Sequence, residues 1–120
     1  MNMSDASPEL LDHVAERFAA LSDPTRLRLL LALKGRDRGV SELAEAAGVS
    51  QPAASKHLAV LRRAGLVGVD RVGTRAVHRV DDASVYDLCS TVCAGVVRHL
   101  TDRHAKLLGD GEGEGEEEAG

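Results

Sequence analysis

The residues best suited to chemistry fall in one run, Ser50-Gln51-Pro52-Ala53-Ala54-Ser55-Lys56-His57, followed by Arg62 and Arg63 and then by Arg71, Arg75 and Arg79. They are not spaced as a nucleophile, a base and an orienting group, so no enzyme is expected. They are the types that contact nucleic acid: a Gln able to bond an adenine edge through two atoms, a Ser for base or phosphate, and cations for phosphate. A second set is Cys89 and Cys93, four residues apart, with His99 and His104 further along as weaker members. Two thiolates at that spacing share a helical face and suit a soft ion (arsenite, cadmium, lead or copper(I)), with a third ligand from elsewhere or from a second subunit. The same thiols also suit a redox or reactive-sulfur response, and a cysteine in an apolar stripe equally serves as a small hydrophobe.

A base-reading helix needs a frame, and the flanking sequence supplies one. Ser7-Pro8 opens a helix in which Leu11, Val14, Phe18 and Leu21 recur at helical spacing. Asp23-Pro24 opens a second, apolar from Leu27 to Leu33 apart from Arg28 and stopping at Gly35. Gly35 to Gly39 reads as a polar loop. Ser41 is placed to cap a short helix ending at Gly48, and Ser50 to cap the next, which runs to Gly65. Two helices joined by Gly48-Val49-Ser50 make a helix-turn-helix. Residues 66–80 then alternate apolar and polar around Gly73-Thr74, as a β-hairpin does. Asp81 and Asp82 are placed to cap a last helix, expected from about Ala83 to Leu108 and ended by Gly109.

The expected fold class is therefore mainly α with a small β-hairpin, a winged helix-turn-helix. The expected organisation is a flexible start (1–7), one domain (8–108, with the helix-turn-helix at 41–65, the wing at 66–80 and the last helix at 83–108), and a disordered acidic tail (109–120). With helix residues about 100° apart, Ala54, Leu58, Leu61 and Gly65 share one side of the helix from residue 51. Pro52, Ser55, Lys56, Ala59, Arg62 and Arg63 take the other, with Gln51 at its edge. His57 falls on the flank, where a half-buried hydrogen-bonding role and a base contact are both open. Arg62 and Arg63 suit either a phosphate or a solvated helix end.

Charge distribution agrees with a duplex partner. The formal net charge is −4, but six acidic residues, Asp110, Glu112, Glu114, Glu116, Glu117 and Glu118, crowd the last eleven positions. Without them 13 acidic residues face 15 basic ones, and between Lys56 and Arg79 six cations are opposed by Asp70 alone. A local patch of this kind is what a phosphate backbone responds to. Phe18 and Tyr86 are the only aromatics, too few to stack the bases of a single strand. No secretion signal or apolar run of membrane-spanning length is present, so a cytoplasmic protein with reduced thiols is expected.

The segments ALSDPTRLRLLLAL (20–33), VSELAEAAGVSQPAASKHLAVLRRAGLV (40–67) and VDRVGTRAVHRV (69–80) together resemble the ArsR/SmtB family of bacterial winged-helix repressors. The resemblance spans about residues 14 to 100. It implies a homodimer joined through the first and last helices, operator DNA as partner, and an inducer that lowers DNA affinity. It places Gln51, Ser55, Lys56 and His57 in the DNA-reading helix and Arg71, Gly73 and Arg75 in the wing. The family's Cys-x-Cys sensor position holds Ser41-Glu42-Leu43-Ala44-Glu45, and its last-helix zinc pattern is broken by Leu100 and Arg103. Sensing then rests on Cys89 and Cys93. A winged helix serving only as a protein-interaction module is the alternative of another class.

Overall fold

A free amide at a helix start must be satisfied, and short polar side chains do this in three places. In the computed structural model, which describes residues 1–112, the Ser7 hydroxyl accepts from the Leu10 amide (3.1 Å) at the head of α1 (Pro8–Ala20). Asp23 accepts from the amides of Thr25 (2.8 Å) and Arg26 (3.2 Å) at α2 (Pro24–Leu33). A strand that the sequence had not suggested, β1 (Arg38–Gly39), follows, where a polar loop was expected. Helix α3 (Val40–Ala47) then begins one residue before Ser41. Gly39, not Ser41, is its cap and has no side chain to offer, while the Glu42 carboxylate reaches back to the Gly39 amide at 3.3 Å. After Gly48-Val49-Ser50, the Ser50 hydroxyl accepts from the Ala53 amide (3.2 Å) to start α4 (Gln51–Arg63).

The hairpin consists of β2 (Val67–Val72) and β3 (Arg75–Val80), in register from Val67 opposite Val80 to Val72 opposite Arg75. Gly73 turns the chain with φ of +66°, a conformation that costs a residue with a Cβ. β1 pairs antiparallel with β3, Arg38 opposite His78 and Gly39 opposite Val77, so the sheet has three strands in the order β1-β3-β2. Two residues carry too little alternation to announce a strand. Pairing with β3 makes it one, and the Arg38 Nε bond to the Ala32 carbonyl (2.6 Å) fixes its approach.

The core of residues 1–83 is aliphatic. Leu29, Leu30 and Leu33 of α2 meet Leu43, Ala44 and Ala47 of α3 and Ala54, Leu58 and Leu61 of α4, with Leu66 and Val67 closing the hairpin side. Burying each such leucine contributes about 1.5–3 kcal/mol. α1 is tied in by hydrogen bonds, with Arg17 donating to the Ala64 carbonyl (3.2 Å) and to Asp82 (2.6 Å). The expected flexible start holds a 3-10 turn, Met3–Asp5, whose cap is Asn2.

From Ser84 the chain forms a separate unit. Its helix, α5 (Ser84–Glu112), begins one residue after the expected Ala83 and runs through Gly109. One glycine costs a helix only about 1 kcal/mol, too little to stop so long a run. Residues 109–112 are thus helical, and the rest of the expected acidic tail, 113–120, lies outside the described residues. Among the described residues no helix is long and apolar enough to cross a membrane.

His78, at the centre of β3, is buried to 6% exposure, with its Nδ1 lacking a protein partner. Burial holds its pKa below the ordinary 6.5. The positive charge of Arg62 acts in the same direction, and the bond to the Arg38 backbone carbonyl works against both. A histidine depressed in the folded state takes up its proton more readily in the unfolded chain. Stability is therefore lost as pH falls through about 6.5, where the unfolded histidine titrates. Urea unfolding at pH 7.5 and 5.5 should show lower stability at the acid end and a flatter dependence in His78→Leu. An equal acid loss in both proteins would contradict the buried ring.

Candidate nucleic-acid interface

The periodicity of α4 decides which side chains the frame presents. Ala54, Leu58 and Leu61 are buried, as expected, while Gly65, assigned to the same side, is exposed just past the helix end. Gln51, Pro52, Ser55, Lys56, Arg62 and Arg63 are all exposed, and Ala59 is half-buried. The outward face thus offers one amide, one hydroxyl and three cations on a helix narrow enough for a major groove. Among the described residues, Lys56 and Arg63 have no carboxylate partner. Ser50 stands at the edge of this face with its oxygen engaged as the α4 cap.

The cations of the hairpin divide into two kinds. Arg71 is exposed near the turn, where its guanidinium donates to the Thr74 carbonyl at 3.4 Å and no carboxylate competes for it. With Gly73 it forms the tip of the wing. Arg79, counted with the basic patch in the sequence, is held by Asp70 across the hairpin (2.6 Å) and by Asp81 (3.0 Å). Its charge is spent within the sheet. Arg75 lies 3.6 Å from Glu42, which also takes Arg36 at 3.3 Å.

His57 is half-buried, with Nδ1 3.1 Å from Nη1 of Arg26. A guanidinium can only donate, so Nδ1 accepts. Arg26 was not among the residues expected to matter, yet it joins three helices. Its Nε donates to the Ala20 carbonyl (2.7 Å) and Nη2 to the Ala19 carbonyl (3.3 Å) at the end of α1, while Nη1 grips α4 through His57. The Arg26 amide, with help from that of Thr25, also holds the Asp23 carboxyl below its ordinary 3.8. The sequence signal was present in Asp23-Pro24-Thr25-Arg26, read there only as a helix start.

On α5, Cys89 is partly exposed and Cys93 exposed, both as free thiols, and His99 and His104 are exposed. Among the described residues no group of three His, Cys, Asp or Glu is gathered to hold a metal, so the histidines do not complete a site with the thiols in one chain. The neighbours of Cys93 are open: Val92, Val96, Val97 and Leu100 are each 50–56% exposed. Val85, one turn before Cys89 on the same helix, is buried instead.

Residues 23–69 match the family described as bacterial regulatory protein, arsR family. An uncharacterized HTH-type transcriptional regulator of Mycobacterium tuberculosis, Rv0081, is 36% identical over 94 residues, 78% of this chain and 82% of that protein. Its crystal structure superposes with a TM-score of 0.70 at 34% identity, covering 82% of this chain and 98% of the other. This chain belongs to the ArsR family. A second solved neighbour is the homodimeric winged helix-turn-helix DNA-binding domain (fragment 1–100) of Mb0332 from Mycobacterium bovis, described as a possible ArsR-family transcriptional regulator, with a TM-score of 0.69 at 35% identity, covering 82% and 94% of the two chains. The probable mercury resistance operon repressor of Streptomyces lividans is 43% identical over 77 residues, 64% of this chain and 62% of that one. The chain spans 55–58% of the length of two further curated mycobacterial relatives.

Within this ArsR-family frame the Arg26–His57 contact is expected to contribute to stability. Arg26→Lys, which keeps the charge and loses the planar fork, should lower the unfolding free energy in urea by about 1–3 kcal/mol. Arg26→Ala and His57→Ala should be less than additive. Strict additivity would mean that the two side chains do not couple.

Proposed function

We propose that the protein is a cytoplasmic, homodimeric transcriptional repressor whose α4 enters the major groove of operator DNA and which an inducer releases through Cys89 and Cys93. The observation that carries this reading is the outward face of α4, where Gln51 and Ser55 are placed for base edges and Lys56, Arg62 and Arg63 for phosphates. Arg71 and the Gly73 turn contact the backbone beside it, and Ser50 and His57 hold the helix at its start and flank. Two copies would set two such helices roughly 34 Å apart on successive grooves. The half-exposed valines and Leu100 of α5 are the apolar surface that a second copy would cover, and the homodimeric Mb0332 domain supports that assembly.

The inducer is assigned to the class that thiols prefer, soft metals and metalloids. A mercury repressor among the relatives supports the class. Since one chain gathers no third ligand among its described residues, the partner subunit would complete the coordination. The same observation favours a second reading, in which the open thiols respond to oxidants or reactive sulfur.

Fluorescence anisotropy on the duplex upstream of the protein's own coding sequence tests both levels. Affinity should fall with salt with a log–log slope steeper than about −3, as several phosphates are neutralised. Lys56→Ala should weaken binding on all sequences and make that slope shallower by about 1 per site, whereas Gln51→Ala should relax sequence preference by about 1–3 kcal/mol at one base pair per half-site. A salt-independent interaction, or no duplex binding at low salt, would contradict DNA recognition. Arsenite, cadmium, lead or copper(I) should release DNA from the wild type and not from Cys89→Ser or Cys93→Ser. Release by peroxide or persulfide alone would select the redox reading.

A further inference from the structure

The carboxylate of Glu42 has more partners than a helix cap requires. Oε1 accepts from the Gly39 amide at 3.3 Å and lies 3.6 Å from Nη2 of Arg75, while Oε2 takes Nη2 of Arg36 at 3.3 Å. Three separate pieces of chain, the loop before β1, the head of α3 and the start of β3, therefore converge on one anion. The approach of Arg75 is close. A Cβ on Gly39 would stand 2.8 Å from its Nη2, so the glycine leaves room for this guanidinium. The two arginine side chains are nevertheless 62% and 64% exposed and that of Glu42 40%. Ion pairs so open to water are weak and readily exchange one anion for another.

We propose that Glu42 is an internal counter-charge of the DNA interface: it pairs with Arg75 and Arg36 at the head of α3 and is the anion that a backbone phosphate must displace. This rests on the DNA-binding reading above. In the free protein the carboxylate substitutes for the phosphate and keeps both guanidinium groups close to where the wing meets α3. On DNA the two arginines exchange a carboxylate for a phosphate oxygen, and the affinity gained is reduced by the pairs given up. Glu42 thereby sets the strength of backbone binding through the arginines, without contacting a base.

Glu42→Gln tests this, because the amide oxygen can still accept from the Gly39 amide while the charge is removed; an unchanged urea midpoint confirms the fold. Measured by anisotropy, this variant should bind both a random duplex and the protein's own upstream duplex about 3- to 10-fold more tightly than the wild type. Its log–log salt slope should steepen by about 1–2, as two more cations are free for phosphate. In an Arg36→Ala/Arg75→Ala background the same substitution should change affinity by less than about 2-fold, since its effect runs through those side chains. Unchanged affinity of Glu42→Gln, or an equal gain when the two arginines are absent, would overturn the proposal while leaving DNA binding in place. Absence of duplex binding by the wild type would overturn both.

Discussion

The burial of one edge of α4 is the constraint on which the rest depends. With about 3.6 residues per turn, placing Ala54, Leu58 and Leu61 against α2 and α3 leaves no freedom in where Gln51, Ser55, Lys56 and Arg62 point. The apolar contacts supply the free energy and the helical period supplies the direction. Arg26 adds a polar anchor to the same frame, linking the end of α1 to the middle of α4 through His57. A helix held in this way is ordered before any partner arrives, the condition under which binding loses little conformational entropy.

Charge in the hairpin is allocated more tightly than the number of arginines suggests. Arg79 is neutralised within the sheet by Asp70 and Asp81, and Arg75 is shared with Arg36 by Glu42. Lys56, Arg63 and Arg71 keep theirs without a carboxylate partner among the described residues. The cations without a carboxylate partner thus lie on the outward face of α4 and at the wing tip, where they leave a local positive field.

Helix starts and the outward face of α4 were legible in the sequence because both follow from local rules. Ser7, Asp23 and Ser50 cap as their residue types demand, and the buried set of α4 falls out of the helical period, Gly65 apart. What escaped depends on long-range pairing. β1 is a strand only because Arg38 and Gly39 meet His78 and Val77. Ser41 does not cap α3, because the helix starts two residues earlier than expected, with Gly39 at the cap. Arg26 finds His57 31 positions away, and the pairing of Arg79 needs the hairpin register. Sequence patterning places cations on a hairpin; only the register shows which of them are already paired. The thiols of α5 are a different case, since the surface around Cys93 is open in one chain and the sequence pattern does not announce that.

Amide chemical-shift mapping on the isotope-labelled protein, titrated with the duplex from upstream of its own coding sequence, tests the central claim most directly. The largest changes are expected at Gln51, Ser55, Lys56, Arg62 and Arg63 and at the wing tip from Arg71 to Gly73, with smaller ones at Ala54, Leu58 and Leu61 behind them. Changes confined to the exposed Leu27–Leu31 side of α2, or a spectrum that does not respond to duplex at low salt, would contradict the assignment of α4 as the DNA-reading helix.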